Sequence, residues 1–511
     1  MIFLRKLKLF ILNGLVLTVI SIFLQLIGVS FGVYISNKIG DEAVGLYQLL
    51  MSTYSFGITL ALSGINLACV RIVSEELAKN SFGSIKKVIT KCLIYSLFFG
   101  SLTFLLFCIF ANMISTYILH EKISPLTICI MAISFPFASI CSCLNGYFSA
   151  VRHVVKSAFI QILEQFFKIL LVSYMLNTIF DTSINSACSL IVLGSSIAEG
   201  ITCILMFITY IKDRKKLCSK NDIYIPQPST GITKRIFKIS LPISSATYIK
   251  SGLATLKQVV IPLKLEASGL SCSEALSKYG MINGMVFPII LFPSTFLSSF
   301  SGLLIPEFSS FNVRGENNAI QDSIYKILKY TLIFSFFIIG IFLCFSKELS
   351  LLIYSNTEIS KYIKILAPVI IFMYLDSIVD GILKGLDKQV SVMIINIIDL
   401  ISSILLISFL LPVYGTFGYL IVIFISEILN CILSIWVLIN TTKIKFKFKL
   451  WILKPTMILL ISIVITNLLK INAIAIIPLL INILIYSSAY ILFSFIFKLI
   501  SKAEIRNFIT L

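Results

Sequence analysis

Charge is scarce in this sequence. Asp, Glu, Lys and Arg together make up 13% of the 511 residues, whereas hydrophobic residues make up 58% and the mean hydropathy is +1.01. Soluble domains carry roughly 25% charged residues. The shortage of charge therefore excludes a soluble enzyme and predicts an integral membrane protein.

Residue types that build catalytic and metal sites are also rare or scattered. There are two histidines, His120 and His153, and the 12 cysteines lie mostly inside apolar runs without metal-ligand spacing. No Gly-x-x-x-x-Gly-Lys-Ser/Thr motif and no pairing of nucleophile and base is visible. We therefore expect no enzyme, no cofactor, no metal site and no disulfide framework. Energy for any transport must come from an ion gradient, the membrane potential or a substrate gradient.

Apolar runs recur along the whole chain. A helix of about 20 residues crosses the ~30 Å hydrocarbon core of a bilayer. Runs of this length lie near 11–36, 43–70, 92–119, 124–150, 157–177, 184–211, 237–262, 279–305, 325–354, 362–384, 390–411, 414–440, 452–470 and 472–497. The first is too long for the hydrophobic region of a cleavable signal, so we expect it to be a span. The predicted fold class is an all-α polytopic membrane protein with about fourteen transmembrane helices.

The basic residues follow these spans. If the N-terminus is cytoplasmic, the loops on its side and the two termini hold 31 of the 42 Lys and Arg, and the opposite loops hold eight. Cytoplasmic loops are enriched in Lys and Arg, and a miscounted span would scramble the bias. The pattern predicts a multi-pass protein of the cell membrane with both termini inside. It also explains the net charge of +19 without a nucleic-acid partner.

Two halves of the chain resemble each other. Asp-Glu-Ala-Val-Gly-Leu-Tyr at 41–47 matches Ser-Glu-Ala-Leu-Ser-Lys-Tyr at 273–279, and Leu-Asn-Gly at 144–146 matches Val-Asp-Gly at 379–381. The shift drifts only from 232 to 235 residues. Because the repeat unit has six spans, an even number, both copies begin on the same side of the membrane. The repeat predicts two six-helix lobes related by a pseudo-two-fold axis along the membrane normal, around a central cavity.

The repeat sets the predicted domain boundaries. Residues 1–211 form an N-terminal lobe, 212–236 a basic cytoplasmic linker and 237–442 a C-terminal lobe, and 443–511 hold two further helices and a cytoplasmic tail. The basic run that opens the linker has two interpretations. It is an orientation signal that contacts anionic lipid, or it is a specific docking site.

Cations inside the seventh span are the clearest functional signal. Lys250 and Lys257 are seven residues apart, so a helix places them on one face. A charge facing lipid at mid-bilayer costs at least about 2.5 kcal/mol, so they should face a cavity or a partner. They are candidate contacts for an anionic substrate such as a diphosphate, together with Gln258, Asn66 and Arg71. Alternatively, Lys257 snorkels or pairs with an acid, and Arg71 is an orienting charge.

Acidic residues inside spans form a second set. Glu164 and Lys168 have the spacing of an intrahelical ion pair, which is either structural or part of transport. The remaining acids could bind a coupling cation or proton, or balance the lysines. These candidates for ion coupling or internal pairing are Glu199, Asp376, Asp380, Asp399 and Glu427.

Several motifs resemble a known family. They are Gly45-Leu-Tyr-Gln-Leu, Ser63-Gly-Ile-Asn, Ile239-Ser-Leu-Pro-Ile-Ser, Leu256-Lys-Gln-Val-Val-Ile-Pro, Glu274-Ala-Leu-Ser-Lys-Tyr-Gly, Ile290-Leu-Phe-Pro-Ser and Leu304-Ile-Pro-Glu. In this order they are similar to the stage V sporulation protein B family of the MOP flippase superfamily, which also includes MATE-type exporters and lipid II flippases. The first span departs from lipid II flippases, since it has no basic residue from Asn13 to Asn37.

The resemblance implies a bacterial flippase that works by alternating access. The implied substrate is a lipid-linked peptidoglycan precursor for spore cortex synthesis, and the implied place is the forespore outer membrane. We expect three partners: the lipid-linked oligosaccharide, the bilayer and peptidoglycan synthases. Two rival functions stay open: a cation-coupled multidrug exporter of the same fold, and a non-transporting scaffold for cortex-synthesis enzymes.

Overall fold

The computed structural model describes residues 2–78, 82–179, 183–219, 231–444, 449–469 and 475–499. Every regular element within these ranges is helical, which confirms the predicted fold class. Residues 220–230 of the predicted linker and residues 500–511 of the C-terminal tail lie outside the described residues. The first half forms α1 (Ile2–Ile39), α2 (Asp41–Leu62), α3 (Ile65–Ala78), α4 (Phe82–Ile109), α5 (Ala111–Tyr117), α6 (Pro125–Ala132), α7 (Ser134–Ala150), α8 (Val154–Thr178), α9 (Ile184–Ser219) and α10 (Ile232–Glu266).

Shorter helical segments are more frequent in the second half. It forms α11 (Cys272–Gly280), a π-helical turn (Met281–Val286), α12 (Phe287–Leu291), α13 (Ser294–Arg314), α14 (Asn317–Tyr354), α15 (Glu358–Leu366), a 3-10 turn (Ala367–Val369), α16 (Ile370–Gly385), α17 (Gln389–Thr442), a second π-helical turn (Lys449–Leu453), α18 (Lys454–Leu469) and α19 (Ile476–Ile496). Proline explains two of the interruptions. Pro368 lies in the 3-10 turn, and the chain bends by 61° at the break that contains Pro293.

The number of spans is compatible with the predicted fourteen. Among the described residues, eleven helical stretches are long and apolar enough to cross a membrane, or twelve if the pair bent at Pro293 is one span. The 54-residue helix α17 contains Gly415 in a non-helical conformation (φ 56°, ψ −134°), one residue after the start of the second of the two spans predicted there. Helix α10 has 35 residues. At 1.5 Å per residue it is about 52 Å long, enough to span despite its polar side chains.

The helices group into two compact units. The first contains Met1–Phe31 and Ile39–Pro262, and the second contains Gly32–Lys38 and Leu263–Leu511. This division falls later than the predicted lobe boundary at residue 237, because most of α10 packs on helices of the first unit. The boundaries derived from the sequence repeat stay predictions.

Both units contain the same close helix contact. In the first, Asn66 Nδ2 on α3 donates to the carbonyl of Ser142 on α7 at 3.2 Å. In the second, Ser301 Oγ on α13 donates to the carbonyl of Ser377 on α16 at 2.9 Å. Each second-unit residue lies 235 positions after its first-unit counterpart, which is the shift of the predicted repeat.

Glycines make this approach possible. A Cβ added at Gly146 would lie 2.8 Å from the Asn66 carbonyl oxygen, and one at Gly381 would lie 2.9 Å from that of Ser301. Real Cβ atoms do not approach a backbone oxygen so closely, and small residues at such positions let spanning helices pack tightly. The two glycines are again 235 residues apart.

Each unit also has an ion pair between residues 80 positions apart. Glu42 pairs with Lys122 in the first unit, and Lys278 pairs with Glu358 in the second. Lys122 and Glu358 both precede an Ile-Ser dipeptide. The acid comes first along the chain in the first pair, and the base comes first in the second pair.

The contact at Gly146 generates a stability prediction. We expect Gly146→Val to destabilise the protein by about 1–3 kcal/mol, because the added atoms overpack the α3–α7 contact. Thermal unfolding of the detergent-purified protein measures the loss. Gly28→Val is the matched control, since a Cβ there meets no atom within 4 Å. Equal unfolding temperatures for the two variants would contradict the prediction.

Candidate functional site

Helix α10, which carries the predicted cations, lies along α2. Tyr248 Oη donates to the carbonyl of Leu60 at 3.3 Å, and Thr255 Oγ1 donates to that of Ser52 at 3.1 Å. These donors are two helical turns apart, so one face of α10 is fixed against α2. At its start, Arg235 pairs with Glu75 of α3.

Lys250 and Lys257 lie on the face of α10 that is turned away from α2. Lys250 comes two positions after Tyr248, and Lys257 comes two positions after Thr255. Two positions are about 200° around an α-helix, so both lysines point away from the face that contacts α2. Lys250 is exposed and Lys257 is half-buried, as is Gln258. Their role as substrate contacts stays a prediction.

Lys264 continues the seven-residue spacing of Lys250 and Lys257 along α10. Helix α10 continues to Glu266, so Lys264 follows Lys257 by another two turns. The predicted span ends at residue 262, so Lys264 is among the eight basic residues counted in the opposite loops. The helix is longer than that span, since polar residues also continue it.

The other two predicted substrate contacts have protein partners. Arg71 Nε lies 3.2 Å from Glu75 Oε1, and the Arg71 side chain is 68% exposed. Asn66 donates its amide to Ser142 as described above. These contacts use part of the polar capacity of each side chain, and any contact with substrate stays a prediction.

Glu199 on α9 is the centre of a half-buried polar cluster in the first unit. Tyr54 Oη on α2 donates to its Oε1, while its Oε2 is buried without a hydrogen-bond partner among the described residues. Glu199 lines two cavities. The smaller has a volume of about 30 Å³ and also contacts Lys168, and the larger, of about 280 Å³, also contacts Glu164.

This cluster extends the predicted pair on α8. The sequence placed Glu164 and Lys168 together by their spacing, whereas the fold adds Glu199 and Tyr54 from two other helices. Tyr54 was missed, because a tyrosine in an apolar span is ordinarily read as a packing residue. Its only signal in the sequence is a hydroxyl that needs a partner in hydrocarbon.

The second unit has polar residues at the corresponding repeat positions. Asp399 Oδ1 accepts a hydrogen bond from Ser426 Oγ at 2.5 Å, and Ser426 Oγ lies 2.9 Å from Ser403 Oγ. Asp399 and Ser403 follow Glu164 and Lys168 by 235 positions. The second copy therefore has an acid and a hydroxyl where the first has an acid and a cation. Glu427 directly follows Ser426 and lies 228 positions after Glu199, close to the shift of the repeat.

The remaining acids on α16 have separate partners. Asp376 accepts from Asn430 Nδ2 at 3.0 Å and from Ser434 Oγ at 2.8 Å, both on α17. Asp380 pairs with Lys384, one turn later, at 3.4 Å. Each carboxylate thus has a donor of its own, although the two are only one turn apart.

Three cysteines meet in the core of the first unit. The sulfur atoms of Cys69, Cys92 and Cys143, from α3, α4 and α7, lie within 4.8 Å of one another, and all three side chains are fully buried. Metal binding would require thiolates, and their surroundings are the apolar core formed by residues such as Ile72 and Ile89. Charged groups are costly to bury in such an environment. We interpret the cluster as packing.

Buried acids and cations on spanning helices are typical of membrane transporters, and this is the class that the fold and the polar clusters define. Residues 10–312 match the family described as "Polysaccharide biosynthesis protein". The chain belongs to this family.

Individual relatives support the assignment. The chain is 22% identical to stage V sporulation protein B of Bacillus subtilis (strain 168) over 503 residues, which cover 98% of this chain and 97% of that protein. It is 19% identical to sporulation protein YkvU of the same organism over 364 residues, covering 71% and 79%. The predicted family resemblance is confirmed.

Solved structures share the fold. The lipid II flippase MurJ in an inward closed conformation superposes with a TM-score of 0.68 at 15% identity, covering 94% of this chain and 98% of that one. A MATE family multidrug resistance transporter of the MOP superfamily, in an inward-facing conformation, gives 0.64 at 12% identity, covering 83% and 98%. The protein is therefore a multi-pass membrane protein with the fold of these two MOP superfamily structures.

The Tyr54–Glu199 contact generates the next prediction. We expect Tyr54→Phe to lower stability by about 1–3 kcal/mol, because a buried carboxylate loses its hydrogen-bond donor. The measurement is the unfolding temperature in detergent. Tyr174→Phe serves as the control, because Tyr174 is 63% exposed. A Tyr54→Phe variant as stable as this control would show that the hydrogen bond contributes little.

Proposed function

We propose that the protein flips a lipid-linked anionic saccharide across the cytoplasmic membrane by alternating access. The proposed substrate is a lipid II-type peptidoglycan precursor, and the proposed role is spore cortex synthesis at the forespore outer membrane. Both termini lie in the cytoplasm in this proposal. The biased distribution of Lys and Arg supports that orientation.

The single observation that carries the proposal is the lysine pair of α10. Lys250 and Lys257 occupy one face of a helix within a fold shared with a lipid II flippase. Their Cα atoms are about 10 Å apart at 1.5 Å per residue. Two flexible side chains at that separation can reach one diphosphate between them. Near a protein surface the Coulomb attraction between two unit charges 4 Å apart is about 4 kcal/mol before the costs of desolvation and ordering are subtracted, so two lysines together can favour a doubly charged headgroup.

The names of the relatives support the substrate class. One solved neighbour is a lipid II flippase, the matching family concerns polysaccharide biosynthesis, and two relatives are sporulation proteins. A phosphate-linked saccharide on a lipid carrier is a substrate that fits all of these descriptions. Peptidoglycan synthases that consume the precursor are the proposed partners on the product side.

The Glu199 cluster is the proposed coupling site. Its carboxylate has one oxygen held by Tyr54 and one buried beside a cavity. A proton or small cation on that second oxygen would offset the negative charge of the carboxylate. Release of the proton or cation would restore the attraction between the Glu199 carboxylate and Lys168. Asp376, Asp399 and Glu427 are the corresponding candidates in the second unit. The cluster in each unit supplies one charge that a gradient can change.

A multidrug exporter of the same fold is the second candidate, and the MATE neighbour favours it. Such a protein would bind cations through its acids. Hydrogen bonds and an ion pair already engage Asp376, Asp380 and Asp399, whereas the exposed Lys250 repels a cation. A non-transporting scaffold would not require cations on a spanning helix.

The deciding experiment measures flipping of lipid II in proteoliposomes. We expect Lys250→Ala and Lys257→Ala each to slow the appearance of lipid II in the opposite leaflet about tenfold or more, which corresponds to losing roughly 1.4 kcal/mol of headgroup binding. Lys250→Arg should retain most of the rate, since it keeps the charge. Lys388→Ala is the matched control, because Lys388 is exposed at the start of α17.

Three outcomes would contradict the proposal in different ways. Flipping at the wild-type rate in both alanine variants would remove the lysines from the substrate site. Efflux of a cationic dye, with no movement of lipid II, would favour the exporter. Proteoliposomes that move neither compound would favour the scaffold.

A further inference from the structure

The first unit contains an apolar groove on the side of α10 that meets α2. Its volume is about 530 Å³, and it lies between α2, α4, α5 and α10. This is more than three times the roughly 150 Å³ of an apolar cavity that holds one benzene ring. The main walls are Phe56, Leu60, Phe107, Phe110, Leu256 and Val259.

The groove has almost no capacity for a polar ligand. Two threonine hydroxyls lie in its wall, and both already donate to backbone carbonyls: Thr53 to Leu49 at 3.0 Å and Thr255 to Ser52 at 3.1 Å. An apolar lining with satisfied hydroxyls favours hydrocarbon.

The rim of the groove is continuous with the surface that faces the bilayer. Leu106 is 39% exposed, Leu256 48% and Phe110 47%. Leu106 and Phe110 lie on or beside the candidate span Ser84–Ile109, and Leu256 lies on α10, the predicted seventh span. Tyr117 lies at the far end of the groove and is 70% exposed. A tyrosine at the end of an apolar surface is typical of the membrane interface. A hydrocarbon chain can therefore enter sideways from the lipid.

Gly252 keeps the groove open. An added Cβ at this position would meet only Phe56, at an ordinary contact distance of 3.5 Å. The glycine is therefore not required by packing, unlike Gly146. A larger side chain here would extend into the groove without displacing α10.

The two faces of α10 differ in the part of a lipid that they can bind. Gly252, Leu256 and Val259 share the apolar face, while Lys250 and Lys257 lie roughly 150° away around the helix. A molecule with an anionic head and a long hydrocarbon tail complements both faces, and an uncharged hydrocarbon would use only one.

We propose that this groove binds the hydrocarbon chain of the lipid-linked substrate while the lysine face of α10 binds its diphosphate. The inference rests on the proposed function, and it adds a tail site to the head site. The head and the tail of the substrate then contact two different faces of one helix, so a movement of α10 would move both parts together.

The test compares binding of two probes to the full-length protein in phosphatidylglycerol nanodiscs. One is a disaccharide linked to farnesyl diphosphate, and the other is the same disaccharide diphosphate without the tail. Gly252→Leu fills the groove, and Val259→Phe fills it from a second position. Gly302→Leu on α13 is the matched control, because a Cβ there has no atom within 4 Å.

We expect both filling variants to weaken binding of the farnesyl probe roughly tenfold, since losing two buried methylenes has about that effect. Binding of the tail-less probe should stay within about twofold of wild type in all variants, because no head contact changes. The Gly302→Leu control should bind both probes as wild type does.

Other outcomes separate this inference from the proposed function. If wild type binds neither probe, the proposed function fails and the tail site fails with it. If wild type binds both probes, and the filling variants leave binding of both unchanged or weaken both to the same extent, the tail site is wrong and the proposed function stands. If filling releases a co-purified phospholipid, detected by native mass spectrometry, and leaves farnesyl binding unchanged, the groove belongs to bilayer lipid and the inference is overturned.

Discussion

A polar group in hydrocarbon must find a partner inside the protein, and this constraint determines most of the architecture. Serine and threonine hydroxyls on the spans donate to carbonyls one turn earlier, as Ser96 does to Cys92 at 3.0 Å. Tyrosine hydroxyls reach across to neighbouring helices: Tyr374 donates to Ile290 at 2.9 Å, and Tyr490 donates to Ile333 at 2.9 Å. The charged groups obey the same rule, which is why the acids are paired with hydroxyls, amides and lysines.

The same constraint explains how much of the fold the sequence predicts. Long apolar runs must be spanning helices, so the spans and the helical class were predictable without any contact information. The helix breaks were less predictable. The run predicted over 43–70 is divided at Ser63 and Gly64, which both have positive φ, 42° and 67°. Gly64 lies against Ser240 of α10, and only the tertiary packing explains why the chain turns there.

Residues of the candidate site were predictable to different degrees. Lys250 and Lys257 could be paired from their spacing, because a helix fixes the relation between positions seven apart. The partner of Glu199 could not be found in this way, because Tyr54 is 145 residues away and no local pattern connects them. The groove beside Gly252 is harder still to predict from the sequence, because its walls come from four helices. An apolar residue also looks the same in the sequence whether it lines a groove or packs in a core.

The reversed ion pairs have a consequence for how the two halves relate. Glu42 pairs with Lys122 and Lys278 pairs with Glu358, but the repeat aligns Glu42 with Glu274 and not with Lys278. If the halves descend from a duplicated ancestor, the ion pair was rebuilt at a different position of the motif, because Lys278 lies one helical turn after Glu274 and faces an acid, whereas Glu42 faces a base. The halves are consequently not interchangeable parts. A chimera that placed the Glu358 segment in the position of the Lys122 segment would set one carboxylate against another at Glu42, so each half has become specific for its own sequence.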